Sequence, residues 1–529
     1  TVGARSEVAQ KRGTRPARQQ PWLEARLGWR LCKSPVALYH GSVKRAFLAV
    51  MLLVAGVAAV YGYTASRNER NYRQFINRGE AALAAADTFA AGEAFTSAIA
   101  IKGDSMLGYL KRGETYRRRD SLAFAAGASR GAGAPGHAAD HDPAAPRPLL
   151  DAAMRDLRRA MELDPLAPRP LELMGDINYS LARFDRAVDR YREYVALDDR
   201  SPRVLYKLAL ASYSAGRFAP AVTSLQQAVG IDDHFAEADY LLGLCYRDLQ
   251  KPQEARRALE TAKRIAPAML HAREELADLY HRLGREDEWI AELEALLALD
   301  PGPSRQVALG LAYAHTGQLD RAVMTLGQAA QRYPDYTYTY VALGRVWLQR
   351  SRPQPDRVDL GKALGALQRT IGTENSSEAL MLLGRALLLA HDEEHAETML
   401  QQASAKRPVD PLAFYYLAEA AERLGHSGAA RSALIDYQAL EGDEPDPHRR
   451  AVLAGRVAGL SMQLGDAVAA AAWYERAIEA NGADAPLLVS LAAAQARSGA
   501  IDTARATLRK ALDKDPANSE GQALERRIR

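Results

Sequence analysis

Residues 236–267, AEADYLLGLCYRDLQKPQEARRALETAKRIAP, decide the fold. They read as two helices joined by a short turn: Gly243 and Tyr246 sit in the first, Ala255, Leu259 and Ala262 in the second, and Pro267 closes it. Small side chains at Gly243 and Ala262 let the two helices approach, while Tyr246 and Leu259 fill the space between neighbouring pairs. The same offsets return further along, with Gly310, Tyr313, Gly317, Ala322, Leu326, Ala329 and Pro334 in one copy. Near the end they hold Ala492, Gly499, Ala504, Leu508, Ala511 and Pro516. From about residue 70 onward the chain is self-similar with a period near 34. Each helix pair leaves one apolar face bare, so stability has to come from stacking pair on pair into a quasi-one-dimensional solenoid.

This pattern resembles the tetratricopeptide repeat (TPR) family, whose repeat of about 34 residues places small, aromatic, Ala and Pro residues at these offsets. About twelve units begin near residues 72, 106, 168, 202, 236, 270, 303, 337, 377, 411, 451 and 485. The resemblance implies an all-α, right-handed superhelical solenoid over residues 70–529, and NSEGQALERRIR (518–529) reads as a polar capping helix over the last unit. Three units depart from the period. The second carries about 28 extra residues, an insert loop over about 120–148 rich in Gly, Ala and Pro. The eighth is lengthened between its helices at RSRPQPDRVDLG, and the tenth after its second helix by the acidic connector LEGDEPDPH. Tyr336, Tyr338 and Tyr340 alternate as a strand would, but the repeat register makes PDYTYTY a helix start.

Ahead of the repeats lies AFLAVMLLVAGVAAVYGY (46–63), with no charged residue between Arg45 and Arg67. At ~1.5 Å per residue, 18 to 21 helical residues span roughly 27–32 Å, one hydrocarbon core. Residues 46–65 are therefore expected to form a single transmembrane helix in contact with the bilayer, with Tyr61 and Tyr63 at the interface. A cleaved signal peptide is the rival reading, but a flank of 45 residues is long for a signal n-region. Residues 1–45, a basic and mostly disordered tail, hold ten Lys/Arg against Glu7 and Glu24, a charge of +8; the formal charge is +4 overall, so the rest carries −4. That asymmetry places the tail on the cytoplasmic side and the repeat body across the membrane. QPWLEARLGWRL (20–31) has the pattern of an amphipathic surface helix, against a plain disordered tail. Arg outnumbers Lys 57 to 12 and Ala is abundant, a bias associated with GC-rich bacterial coding, so the compartments become cytoplasm, inner membrane and periplasm.

A body of charge −4 does not suit nucleic acid, which needs a basic face. Cys32 and Cys245 fall on opposite sides of the expected span; Cys245 reads as a small core residue. No GxSxG elbow, Walker loop or GxGxxG after a strand occurs. His391-Asp-Glu-Glu394-His395 matches the HxxEH zinc pattern formally, but it occupies a helix-to-helix turn facing solvent, and a zinc site needs its histidines on a rigid helix with a further ligand. His137, His141 and Asp142 lie in the insert. No catalytic residue, cofactor, metal or small-molecule substrate is expected, and the chain is read as no enzyme.

In the family, the first helix of each pair lines the concave face, with places 2, 5, 9, 12 and 13 of each unit turned inward. The resemblance carries this onto Tyr179 in the third unit, Tyr206, Leu210 and Tyr213 in the fourth, Tyr240, Leu244 and Arg247 in the fifth, and His271, Glu274, Asp278 and His281 in the sixth. An aromatic and aliphatic strip beside an ionisable patch is what an extended peptide or helix would take; the plain alternative is that Tyr is common in this repeat. Family members that clamp chaperone C-termini use Lys and Asn at places 5 and 9, where this chain has Tyr206 and Leu210, Tyr240 and Leu244, Val307 and Leu311. That clamp is absent. The expected function is a non-enzymatic protein-binding scaffold, anchored in the membrane and serving envelope assembly or polysaccharide or protein secretion, by family analogy. Alternatives are a cytoplasm-facing regulatory adaptor and a non-catalytic accessory subunit of a membrane enzyme such as a glycan synthase.

Overall fold

The computed structural model describes residues 40–131, 147–351, 356–373, 376–442 and 446–528; the basic tail with Cys32, and His137, His141 and Asp142, lie outside them. Among the described residues there are 25 α-helices and no strand. They fall into two compact units, one ending at Ile177 and the other starting at Asn178.

In the first unit, α1 (His40–Ala84) pairs through its C-terminal part with α2 (Thr88–Ile101), and α3 (Met106–Gly131) pairs with α4 (Pro148–Leu163). Phe95 of α2 is fully buried among Tyr72, Ile76, Ala91 and Ala98, so the first pair has the apolar seam that its sequence period demands. Arg112 of α3 holds the buried carboxylate of Asp156 on α4 through Nε and Nη2, both at 2.7 Å.

Helix α1 carries both the stretch 46–65, expected as a span, and the start of the first repeat near 70. It is one continuous helix of 45 residues, with no break between the apolar stretch and the first repeat. The joining residues 64–71, TASRNERN, contain no Gly or Pro, and an i,i+4 pair between Glu69 and Arg73 at 2.9 Å supports the turn. Its apolar window is long enough to cross a membrane and none of it is buried; Phe47, Leu52 and Leu53 are all more than half exposed. Helix α3 likewise runs to Gly131, past the expected start of the insert near 120, because SLAFAAGASRG is rich in alanine.

α5 (Pro168–Ser180) crosses the boundary between the units. The second unit continues with α6 (Phe184–Leu197), α7 (Pro202–Ser214), α8 (Phe218–Ile231), α9 (Ala236–Asp248) and α10 (Pro252–Ile265). Then come α11 (Leu270–Arg282), α12 (Glu286–Leu299), α13 (Pro303–His315), α14 (Leu319–Arg332), α15 (Tyr338–Arg350) and α16 (Arg357–Gln368). The last are α17 (Ser377–Leu389), α18 (Glu393–Ser404), α19 (Pro411–Arg423), α20 (Ser427–Glu441), α21 (Pro447–Gln463), α22 (Ala467–Asn481), α23 (Ala485–Arg497), α24 (Ile501–Lys514) and α25 (Ser519–Ile528). From α7 to α24, odd-numbered helices are the first of a pair and even-numbered ones the second, each pair packing on the next.

The turn inside three successive pairs, α9–α10, α11–α12 and α13–α14, is one device repeated. Lys251 N–H donates to Tyr246 C=O at 2.8 Å, Arg285 N–H to Tyr280 C=O at 2.9 Å and Gln318 N–H to Tyr313 C=O at 2.8 Å, closing the first helix. The residue before each donor has positive φ: Gly284 at 66° and Gly317 at 78° take it without strain, while Gln250 at 58° carries a side chain there. At the end of the chain, α25 lays Leu524 and Ile528 against Leu488, Val489 and Leu508, so its inner side is apolar.

Candidate protein-binding surface

The exposed side of the first helices in the second unit begins with Tyr179. Its hydroxyl lies 3.2 Å from Ser214 Oγ of the next first helix, and its ring packs 5.4 Å from Phe184. Tyr213 repeats that arrangement one unit on: its hydroxyl donates to Asp248 at 2.8 Å and its ring sits 5.4 Å from Phe218. Burial, then the Asp248 carboxylate, push the Tyr213 hydroxyl up to about 12. His281 and His315 meet in the same relation, with ring centroids 5.1 Å apart. Position twelve of one unit thus touches position thirteen of the next in three places, a lateral ladder that fixes the spacing of neighbouring repeats.

Tyr206, Leu210, Tyr213 and Leu244 are half-buried against one cluster built on Ala209, Leu241, Leu242 and Cys245. Tyr206 also packs its ring 5.1 Å from Phe235, and burial raises its hydroxyl pKa. Tyr240 belongs to the adjoining cluster of Leu259, Leu276 and Tyr280, its ring 6.5 Å from His271. The structure therefore gathers the apolar candidates into a continuous, half-exposed row over α7 and α9.

The polar candidates separate into two groups. His271, Glu274, Asp278 and His281 recur at three- and four-residue spacing and share one side of α11, with His271, Asp278 and His281 exposed. His271 Nδ1 lies 3.3 Å from Glu274, which also pairs with Arg305 at 2.9 Å. His281 stacks 4.1 Å from Trp289. Arg247 behaves differently. Its Nη1 contacts both oxygens of Glu275 at 2.8 Å, Nε donates to Asp248 at 2.8 Å, and Nη2 donates to Tyr213 Oη at 3.2 Å. This guanidinium is committed to holding α7, α9 and α11 together. Its partners lie 34 residues before it and 28 after it, so the repeat period itself was the available signal for the Tyr213 contact.

His391 and His395 are exposed, and each faces a neighbouring carboxylate: His391 Nδ1 lies 3.8 Å from Glu393 and His395 Nδ1 2.8 Å from Asp392. Asp232, Asp233 and His234 make another exposed cluster, in the turn after α8. Tyr338 opens α15, in keeping with the repeat register.

A family model described as anaphase-promoting complex, cyclosome, subunit 3 matches residues 153–262, and three tetratricopeptide repeat models match residues 240–304, 306–336 and 461–528. This chain is a tetratricopeptide repeat protein. Proteins with this repeat are in general protein-interaction scaffolds, and the fold is typically non-catalytic. No curated protein matches the chain. Among solved structures, YrrB, described as a TPR protein with an unusual peptide-binding site, is 20% identical over 35% of this chain and 95% of its own, with a TM-score of 0.31. PilF of Pseudomonas aeruginosa is 22% identical over 35% of this chain and 85% of its own, with a TM-score of 0.29. The APC/C hetero-tetramer Cut9–Hcn1 is 14% identical over 86% of this chain and 96% of its own, with a TM-score of 0.32.

Proposed function

We propose that this TPR protein is a non-enzymatic scaffold, held at a membrane by residues 46–65, that binds a protein partner along the first helices of its third to sixth repeats. The observation that carries the reading is the row of Tyr206, Leu210, Tyr213 and Leu244, apolar side chains left half-exposed on one continuous surface. Such a row excludes water when an extended segment or helix covers it, and tyrosine contributes much contact area for few frozen torsions. Support for the anchor is the apolar stretch at the head of α1, none of which is buried. With the basic tail inside, the repeats work on the far side of a bacterial inner membrane, in envelope assembly or in polysaccharide or protein secretion. Arg247 serves in this reading as a brace beneath the surface.

In-cell photocrosslinking from position 240, with Arg257 as the exposed control on α10, tests this. One dominant protein adduct at 240 and none at 257 is the expected result, and the compartment of the captured protein reports which side the repeats occupy. Equal, diffuse labelling at both positions sinks the surface. Release of the chain from membranes at high salt or alkaline pH sinks the anchor.

A further inference from the structure

Helix α21 has 17 residues where α7, α9, α11, α13, α17, α19 and α23 each have 13. Aligned on the turns that end these helices, the surplus is one N-terminal turn, Pro447-His448-Arg449-Arg450, outside the repeat register. Asp446 caps it, accepting from His448 N–H at 3.0 Å. The added turn thus delivers one histidine and two arginines at a place where the repeat pattern has none.

His448 and Arg449 line a cavity of about 340 Å³ between α19 and α21. Tyr415, Tyr416 and Tyr437 form its aromatic wall, with the Tyr415 ring 5.5 Å from each of the other two. Val452, half exposed, adds apolar surface. The third basic group, Arg456, lies 5.3 Å over the Tyr415 ring and is held by Glu422 at 2.7 Å. The Arg449 side chain is 74% exposed and lies 3.7 Å from its carboxylate neighbour Asp446, beyond hydrogen-bond range. Among the described residues lining the cavity there is no Asp or Glu.

We infer that this cavity binds a linear acidic peptide segment in which one large apolar side chain is flanked by carboxylates. The proposal rests on the protein-binding reading above and names the chemistry of a partner at a second place on the chain. Roughly 300–1,000 Å³ is the range of ligand pockets, so this volume takes a single bulky side chain and little more. The tyrosines and Val452 receive that side chain. Arg449 offers a planar fork to a flanking carboxylate, with Asp446 at 3.7 Å as its competitor, and no Asp or Glu is among the described residues that line the cavity itself. Arg and Tyr are also the residues that dominate binding energy at protein interfaces.

The test is fluorescence anisotropy with the full chain in nanodiscs and three fluorescein-labelled peptides of equal length, carrying Asp-Phe-Glu, Asn-Phe-Gln or Asp-Ala-Glu at the centre of a Gly-Ser frame. The Asp-Phe-Glu peptide binds, and each of the other two binds about tenfold more weakly or worse. Arg449→Gln weakens binding about tenfold, whereas Arg450→Gln, on the same turn but lining the neighbouring cavity behind Tyr437, leaves it unchanged. Equal binding of the acidic and amide peptides overturns the proposal, as does loss with Tyr240→Ala but not with Arg449→Gln. Binding that appears only in an Asp443→Asn/Glu444→Gln variant overturns it too, since the connector's own carboxylates would then be the occupant. If none of the peptides binds while crosslinking from position 240 still captures a partner, this inference fails and the proposed function stands; failure of both experiments removes both.

Discussion

Gly243 on α9 lies so close to Leu259 on α10 that a Cβ at the glycine would stand 2.6 Å from Leu259 Cγ. The same pairing recurs at Gly310 with Leu326, Gly344 with Leu367 and Gly384 with Leu400. Leu259 is fully buried and has no room to swing aside. Gly243→Ala is therefore expected to destabilise by about 1–3 kcal/mol, overpacking outweighing alanine's better helix propensity. Gly327→Ala, in the interior of α14 with nothing within 4 Å, should instead stabilise by up to about 1 kcal/mol. Urea-unfolding midpoints of both variants decide it: two shifts of the same sign would refute the close-approach account.

Arg247 and Glu275 tie α9 to α11 through two contacts of 2.8 Å, with both side chains about three-quarters buried. A charge-assisted pair in that setting, with Nη1 shared between both carboxylate oxygens, should couple by about 1 kcal/mol. The cycle of Arg247→Met, Glu275→Gln and the double variant measures it in urea unfolding. Additive effects, within about 0.3 kcal/mol, would mean that the guanidinium is not bracing the helices and is free to serve a partner.

Two carboxylates on α9 respond to acid in opposite directions. Burial, only partly offset by Arg264, pushes Asp239 up to about 6. Its unfolded value is about 3.9, so the folded state holds the extra proton between those values, and stability falls as pH rises from about 4 to 6. Asp239→Asn should stabilise by up to about 2 kcal/mol at pH 7, the gain shrinking to nothing near pH 4. For Asp248, burial pushes up, but hydrogen bonds from Arg247 and Tyr213 and the Arg247 charge outweigh it and hold the carboxyl below its ordinary range. Its contribution is present above about pH 4 and lost as pH falls through the lower folded value. Asp248→Asn should cost stability at pH 7 and converge with the parent in acid. Urea midpoints between pH 3 and 7 read both, and parallel curves for the two variants would contradict the assignment.

The repeat was legible because its spacing is set by contacts such as Gly243 on Leu259, which demand one residue size at one offset in every copy. Expected unit starts at 202, 236, 270, 303, 411 and 485 coincide with α7, α9, α11, α13, α19 and α23. What stayed hidden were features that obey no period. Residues 64–71 look like a boundary by composition, yet nothing in them stops a helix, and α1 passes straight through. LEGDEPDPH reads as a connector because of its prolines and acids, but Pro447 stands at the first position of a helix, where a missing N–H costs nothing, and starts an extra turn. Arg247 looked available because its sequence neighbours do not reveal that Glu275 approaches from the next helix. The apolar row over α7 and α9 followed from register alone, since positions 5, 9 and 12 share a helix side whatever they contact.

Cys245 offers a reporter of how the repeats open. It is fully buried in α9, and burial, then the nearby Asp248 charge, push its thiol up to about 12. Alkylation needs an exposed thiolate, and this residue presents neither the exposure nor the charge at pH 8. In a Cys32→Ser background, iodoacetamide is expected to leave the native chain unlabelled over hours and to react fully once urea unfolds the fifth repeat. In a stacked array each repeat depends on its neighbours, so Gly243→Ala should hasten the labelling far more than the same kind of packing change placed in the distant Gly384–Leu400 pair. Mass spectrometry of the labelled peptide gives the rate directly. Equal acceleration by the near and the distant change would mean that the second unit unfolds as a single cooperative block; rapid labelling of the unmodified native chain would contradict the burial of Cys245 itself.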